Sequence, residues 1–226
     1  MVFGRDAKED ETVVAMLASA VRRDISFGAL QPNQKLKIEA LRQRYGGSNH
    51  SMRETLRMLS AEGLVEATAQ RGFRVTSATE EDLHDIIMVR AEIEKLALGR
   101  AIAHGTVAWE GRVIAAHHAL RKAEAAVQAT PDDLTALEWD EACRAFSATL
   151  IEACGSPRLT DLQRKFFDQS RRFRLALLRE GMLDFAARKV RQQALLDAVL
   201  ARDAVAAIAV LEQDIEAELK SGNQTP

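Results

Sequence analysis

The chain has 226 residues, 47% apolar and only 5% aromatic, with 31 Lys and Arg against 33 Asp and Glu. That length allows one large or two small domains, and the Ala- and Leu-rich composition favours helix over strand. No apolar run approaches the roughly 20 residues of a membrane span, and the polar start, Met1 to Glu11, does not read as a signal peptide.

Taken in order, Thr12 to Phe27 predicts an amphipathic helix, with Val13, Met16, Leu17, Ala20, Val21 and Ile25 at helical spacing and Gly28 as its stop. Leu30 to Asn33 is a turn, and Leu36 to Ile38 a short strand. A second helix runs from Glu39 to Tyr45, is stopped by Gly46-Gly47, and is followed by Ser48 as N-cap of a third, Asn49 to Glu62. Leu64 to Ala67 and Phe73 to Thr76 alternate as strands around a hairpin turn. Beyond the linker 77–79 every segment is helical: 80–104, 107–128, 132–153, 157–179, 182–201 and 203–220. The expected fold is mainly α, with a winged helix-turn-helix over 1–76 and an antiparallel bundle of six or seven helices over 80–226.

Charge divides along the same line. Residues 1–78 carry 12 Lys and Arg against 9 Asp and Glu, whereas 79–226 carry 19 against 24. A mildly basic N-terminal part suits a polyanion. The third helix opens with Ser48-Asn49-His50-Ser51, small polar residues that can meet phosphates at a helix N-terminus or base edges in a groove. Arg53 follows one turn on, as a guanine reader or as the ion-pair partner of a neighbouring acid. Met52, Leu56 and Leu59 fall on the core side, and Arg71-Gly72 forms the hairpin tip.

Over Leu30 to Val75 the sequence resembles the winged helix-turn-helix of the GntR family. Gly28, Leu30 and Pro32 match its opening. Ser48, Arg53, Glu54, Leu56, Leu59 and the run Glu62-Gly63-Leu64-Val65 match its recognition helix and first wing strand. Arg71, Gly72 and Val75 match the wing. The resemblance implies DNA contacts from Ser48, Asn49, His50, Arg53, Arg71 and Gly72. Two departures stand out. Asn49-His50-Ser51 replaces the family's Arg-Thr-Pro, which implies a different operator, with Asn49 favouring adenine. Asn33 stands where Gly is usual, and because Asn tolerates positive φ the turn is expected to survive.

Residues 80–220 resemble the FCD domain of FadR-type members, on "DLHDIIMVRAEIEKLALGRAIA", "FSATLIEACGSPRL" and "ALLDAVLARDAVAA". The resemblance implies an α-helical bundle that dimerises and binds an acid metabolite. Its usual metal site of one Asp and three His falls here on Cys143, Ser147, Gln192 and Asp214, and none of the five histidines lies among them. Two anionic candidates and two weak neutral ones make a poor site, so no metal is expected. The same four residues then line an effector cavity, with Arg90 either a fork for a carboxylate or the partner of Glu94 one turn on.

His117-His118 cannot chelate well from one helix, because adjacent helical residues point about 100° apart. The run Arg171-Arg172-Phe173-Arg174 reads as a solvated or inter-helix charged face. Cys143 and Cys154, eleven apart, would stand about 16 Å apart along one helix, beyond disulfide reach. No phosphate-binding loop, serine elbow, zinc-protease or dinucleotide motif is present. The expected protein is a cytoplasmic, homodimeric regulator, a repressor, without enzymatic activity. Its partners are a double-stranded DNA operator and a small organic acid. The alternative is a DNA-binding dimer whose helical domain no longer senses anything.

Overall fold

A computed structural model describes residues 3–68 and 72–220. The chain forms two compact units, Met1–Thr79 and Glu80–Pro226.

In the first unit, helix α1 (Phe3–Ser26) begins nine residues before the expected Thr12. Apolar periodicity is the signal by which an amphipathic helix is read, and the charged stretch before Thr12 carries no such period. Strand β1 (Lys35–Leu36), helices α2 (Ile38–Tyr45) and α3 (Asn49–Ala61), and strands β2 (Val65–Thr68) and β3 (Gly72–Val75) follow. The antiparallel sheet has the order β1-β3-β2, with Lys35 opposite Arg74 and Val65 opposite Val75. Val21, Met52, Leu56 and Leu59 are fully buried at its centre with Leu41 and Val75. Asn33 adopts φ 62°, so the glycine-type turn survives the substitution.

The second unit contains α4 (Glu80–His104), α5 (Val107–Ala129), α6 (Asp133–Ile151), a 3-10 turn (Glu152–Cys154), α7 (Pro157–Arg179), α8 (Phe185–Leu200) and α9 (Ala204–Lys220). Helix α4 packs on α7 and α9, α5 on α6, and α8 on α9. Two boundaries differ from expectation by more than one residue. Helix α6 ends at Ile151 and tightens into the 3-10 turn, where the sequence predicts continuous helix to 153. Helix α8 starts at Phe185 rather than 182, because Gly181 turns left-handed and Asp184 caps the helix, accepting from Ala187 N at 2.9 Å. Cys143 and Cys154 are buried free thiols. Among the described residues no helix is long and apolar enough to cross a membrane.

Candidate nucleic-acid interface and effector cavity

The recognition helix α3 is held from three sides. At its start, Ser48 accepts from Ser51 N at 3.0 Å while Ser51 Oγ accepts from Ser48 N at 2.8 Å, a reciprocal cap built with serine at the fourth position. Gly46 and Gly47 both take φ 82°, and a Cβ on Gly47 would come within 2.9 Å of Leu17 Cδ1 and Ser51 Oγ. At its end, Glu62 receives Arg22 of α1 through two bonds of 2.7 and 3.0 Å. Below α2, Tyr45 donates to Asp24 at 2.6 Å, and burial together with that carboxylate pushes the phenol well above its ordinary range.

This frame buries Met52, Leu56 and Leu59 and leaves Ser48, Asn49, His50 and Arg53 on the outer face. The acids weighed as partners of Arg53 are engaged elsewhere, Glu54 with Arg57 and Glu62 with Arg22. Ser48 is committed as the cap. Asn49 Oδ1 accepts from Arg42 at 3.3 Å, so Arg42 holds the acceptor that bidentate pairing with adenine would use. Gly72 opens β3, and Arg71 lies outside the described residues. The sequence reading omitted the exposed pair Lys35 and Arg74, directly opposite each other across β1 and β3. Like charges so placed repel, although Arg74 also faces the carboxylate of Glu66 across β2 and β3. Their signal was the register, which the sequence alone did not supply.

In the helical unit, Arg90, Cys143, Ser147, Gln192 and Asp214 all line one internal cavity of about 30 Å³. That is room for a water molecule or two, not for a metabolite. A larger cleft of about 590 Å³ lies beside it, bounded by the turn Gly181–Asp184 and by Arg191, and shares Arg188, Asp214 and Glu218 with the inner cavity. Its volume falls within the usual range for small-molecule sites.

The cavity is wired by charge. Arg90 donates to Glu94 at 2.7 Å and to Glu218 at 2.9 Å, so the salt-bridge alternative weighed for it is realised and its fork is already occupied. Arg174 and Arg171 of α7 share Asp140 of α6, which makes the basic run of α7 an inter-helix face. Burial alone would raise the Glu218 pKa. Arg90 and the other arginines outweigh it and hold the carboxyl below its usual range, while its Oε2 has no hydrogen-bond partner among the described residues. Arg188 lies 11% exposed on α8 and donates to Glu124 at 3.1 Å and to Cys143 Sγ at 3.4 Å. With the Gln192 amide turned to satisfy both ends, its oxygen accepts from Arg188 Nε at 2.8 Å and its nitrogen donates to Glu124 at 3.3 Å. His117 is buried and His118 exposed, consistent with neither acting as a chelating pair.

Arg188 and Glu218 were missed in the sequence. Each stands four residues from a residue that was singled out, Gln192 and Asp214 respectively, on the same helix face. The i, i+4 neighbourhood was the available signal.

The donor set does not suit a divalent ion. Ser147 Oγ donates to Glu94 at 2.9 Å and accepts from Gln163 at 2.8 Å, and Asp214 accepts from Arg191 at 2.9 Å. Burial pushes the Cys143 thiol up to about 12, so it is not a thiolate at neutral pH. Among the described residues no cluster of three or more His, Cys, Asp or Glu could hold a metal.

Comparison with known proteins matches residues 14–75 to "Bacterial regulatory proteins, gntR family" and residues 85–217 to the FCD domain. The chain is 36% identical over 198 residues to the HTH-type transcriptional repressor GlaR of Escherichia coli K12, covering 86% of this chain and 89% of that one. It is 34% identical over 201 residues to the HTH-type transcriptional regulator BphR of Paraburkholderia xenovorans LB400, covering 88% and 80%. The solved structure of E. coli McbR/YncC shares the fold with a TM-score of 0.73 at 18% identity, over 92% of this chain and 95% of that one. A putative GntR regulator from Rhodococcus sp. RHA1 does so at 0.72 and 20%, over 94% and 99%. The chain therefore belongs to the GntR family of bacterial regulatory proteins, with the FadR-type pairing of a helix-turn-helix and an FCD domain, and is a DNA-binding transcriptional regulator rather than an enzyme.

Proposed function

We propose that the chain acts as a homodimeric repressor that binds a pseudo-palindromic operator and changes its affinity when a small carboxylate-bearing metabolite enters the helical domain. The observation that carries the DNA half is α3. It is capped at Ser48, seated by fully buried Met52, Leu56 and Leu59, and presents Asn49, His50 and Arg53 outward. Such a helix can enter a major groove, and two-fold proteins read two-fold sites. Repression is taken from the printed name of the E. coli relative GlaR. Effector binding is supported by the 590 Å³ cleft and by Arg188, a cation that borders both the cleft and the cavity behind it. Of the expected effector residues, Asp214 alone borders both spaces. Arg90, Cys143, Ser147 and Gln192 lie behind the cleft and would act on a ligand that reaches inward.

One observation favours the alternative of a domain that has lost sensing: the inner cavity is small and its charges are mostly paired. A single experiment separates the two. Light scattering gives the oligomeric state, and titration of a labelled duplex from the upstream region of the protein's own gene gives affinity, with and without a panel of small mono- and dicarboxylates. The proposal expects a dimer, binding that weakens steeply with salt, and a shift with at least one acid. A monomer with salt-insensitive binding contradicts the DNA reading. A dimer unaffected by every acid establishes the alternative.

A further inference from the structure

Arg188 does not behave like an ordinary structural arginine. Its side chain is nearly buried, and the carboxylate it pairs with among the described residues, Glu124, is shared with Arg121. Its remaining partners are uncharged: the Cys143 sulfur, the Gln192 amide oxygen and the Trp139 ring. Cys143 and Gln192, with Ser147 and Asp214, fall where the resemblance to FCD domains implies a metal site, and all four line the same cavity as Arg188. The guanidinium touches two of the four directly and lies one helical turn before Gln192 on α8.

We infer that the Arg188 guanidinium stands in the metal's place, so that the domain carries a built-in cation where the FCD resemblance implies a divalent ion. The charge argument is direct. A dication among these donors would lie within a few ångströms of a guanidinium, with little water between to screen the repulsion. Ser147 and Gln192 are weak ligands, and Asp214 is held by Arg191. A guanidinium satisfies the same neighbourhood without a metal. It donates to sulfur and amide oxygen, remains charged at any working pH, and borders the adjoining cleft through which a carboxylate would arrive. The substitutions at the four positions and the presence of Arg188 then form one change, the replacement of a bound cofactor by a side chain.

The biological sense of this inference rests on the effector-sensing reading, but its test needs neither effector nor DNA. Tag-free protein is equilibrated with zinc, passed through a desalting column and analysed for metal by plasma emission. Zinc affinity is measured by competition with a chromophoric chelator. Two variants are compared with wild type: the pair Ser147→His and Gln192→His, and that pair with Arg188→Met added. Circular dichroism checks folding. Wild type should retain only background metal. The pair with Arg188 kept should bind zinc poorly, and adding Arg188→Met should tighten binding at least about tenfold, the scale on which groups around a metal site act. Near-stoichiometric zinc in wild type overturns the inference, as does a folded triple variant no better than the pair. Should the triple variant not fold, melting of wild type with and without EDTA decides: an unchanged transition supports the built-in cation, and a chelator-induced drop contradicts it. Failure of the regulator reading would appear in DNA titration instead, and leaves these measurements untouched.

Discussion

Arg90 near the middle of the first bundle helix and Glu218 near the end of the last meet at 2.9 Å, although they are 128 positions apart in the chain. Both are buried, and Glu94 and Ser170 complete the coordination of the guanidinium. The pair thus closes the bundle by fastening α4 to α9. Removing one partner of a buried ion pair leaves an uncompensated charge, which typically costs about 3–5 kcal/mol, whereas replacing both by apolar groups of similar size costs far less. Arg90→Met, which strands the buried Glu94 and Glu218 together, should therefore lower the melting temperature sharply, and Glu218→Ala, which leaves Arg90 its pair with Glu94, should lower it less. Equal melting of Glu218→Ala and wild type would show that the pair fastens nothing.

The same carboxylate predicts an acid limb. Arg90 holds Glu218 below the ordinary 4.5 despite its burial. A depressed folded pKa contributes stability that is fully present above the unfolded value and is lost as pH falls through the folded one. Denaturant titrations from pH 6 downward should show stability falling below about 4.5, and falling less in a Glu218→Gln variant measured against its own neutral-pH value.

His117 predicts a second limb nearer neutrality. It packs on Phe146 with its Nε2 unpartnered, and burial followed by the nearby Arg121 lowers its pKa from 6.5. Buried neutral in the fold and free to charge in the unfolded chain, it contributes stability that is complete above 6.5 and declines as pH falls from there toward its folded value. His117→Leu should flatten the stability profile just below 6.5, and an unaltered slope would place the titrating group elsewhere.

The turn before the recognition helix supplies a mechanical test. Gly47 sits at φ 82° with Leu17 and Ser51 within 2.9 Å of where a Cβ would stand. Gly47→Ala is strained by conformation and by contact at once, so it should destabilise the DNA-binding unit and weaken DNA binding. Ser48→Ala removes only the cap and should cost about 1 kcal/mol. If Gly47→Ala proved the milder of the two, the tight packing of the turn would be refuted.

How far the sequence reached differs between the two units, for physical reasons. Helix-turn-helix order was legible because each break carries its own chemistry: Gly46-Gly47 stops one helix, Ser48 caps the next, and Met52, Leu56 and Leu59 mark the buried side of α3. The cavity was half legible. Arg90, Cys143, Ser147, Gln192 and Asp214 come together as one lining. Their partners did not show, because Arg188, Glu124 and Glu218 stand on three different helices and meet only in the folded bundle. The start of α8 was misplaced for a local reason. Met182 and Leu183 continue an apolar pattern, and Asp184 was read as a helix interior position rather than as the cap that it is.

The central claim is that α3 reads DNA through Arg53. The most direct measurement is fluorescence anisotropy of a labelled duplex from the protein's own upstream region, titrated with wild type and Arg53→Ala, alongside a scrambled duplex of equal length. A bidentate base contact is worth about 1–3 kcal/mol, so the variant should bind the specific duplex about 5- to 150-fold more weakly and discriminate less against the scrambled one. An Arg53→Ala protein that is folded and binds the specific duplex with unchanged affinity and preference would contradict the assignment of α3 as the recognition helix.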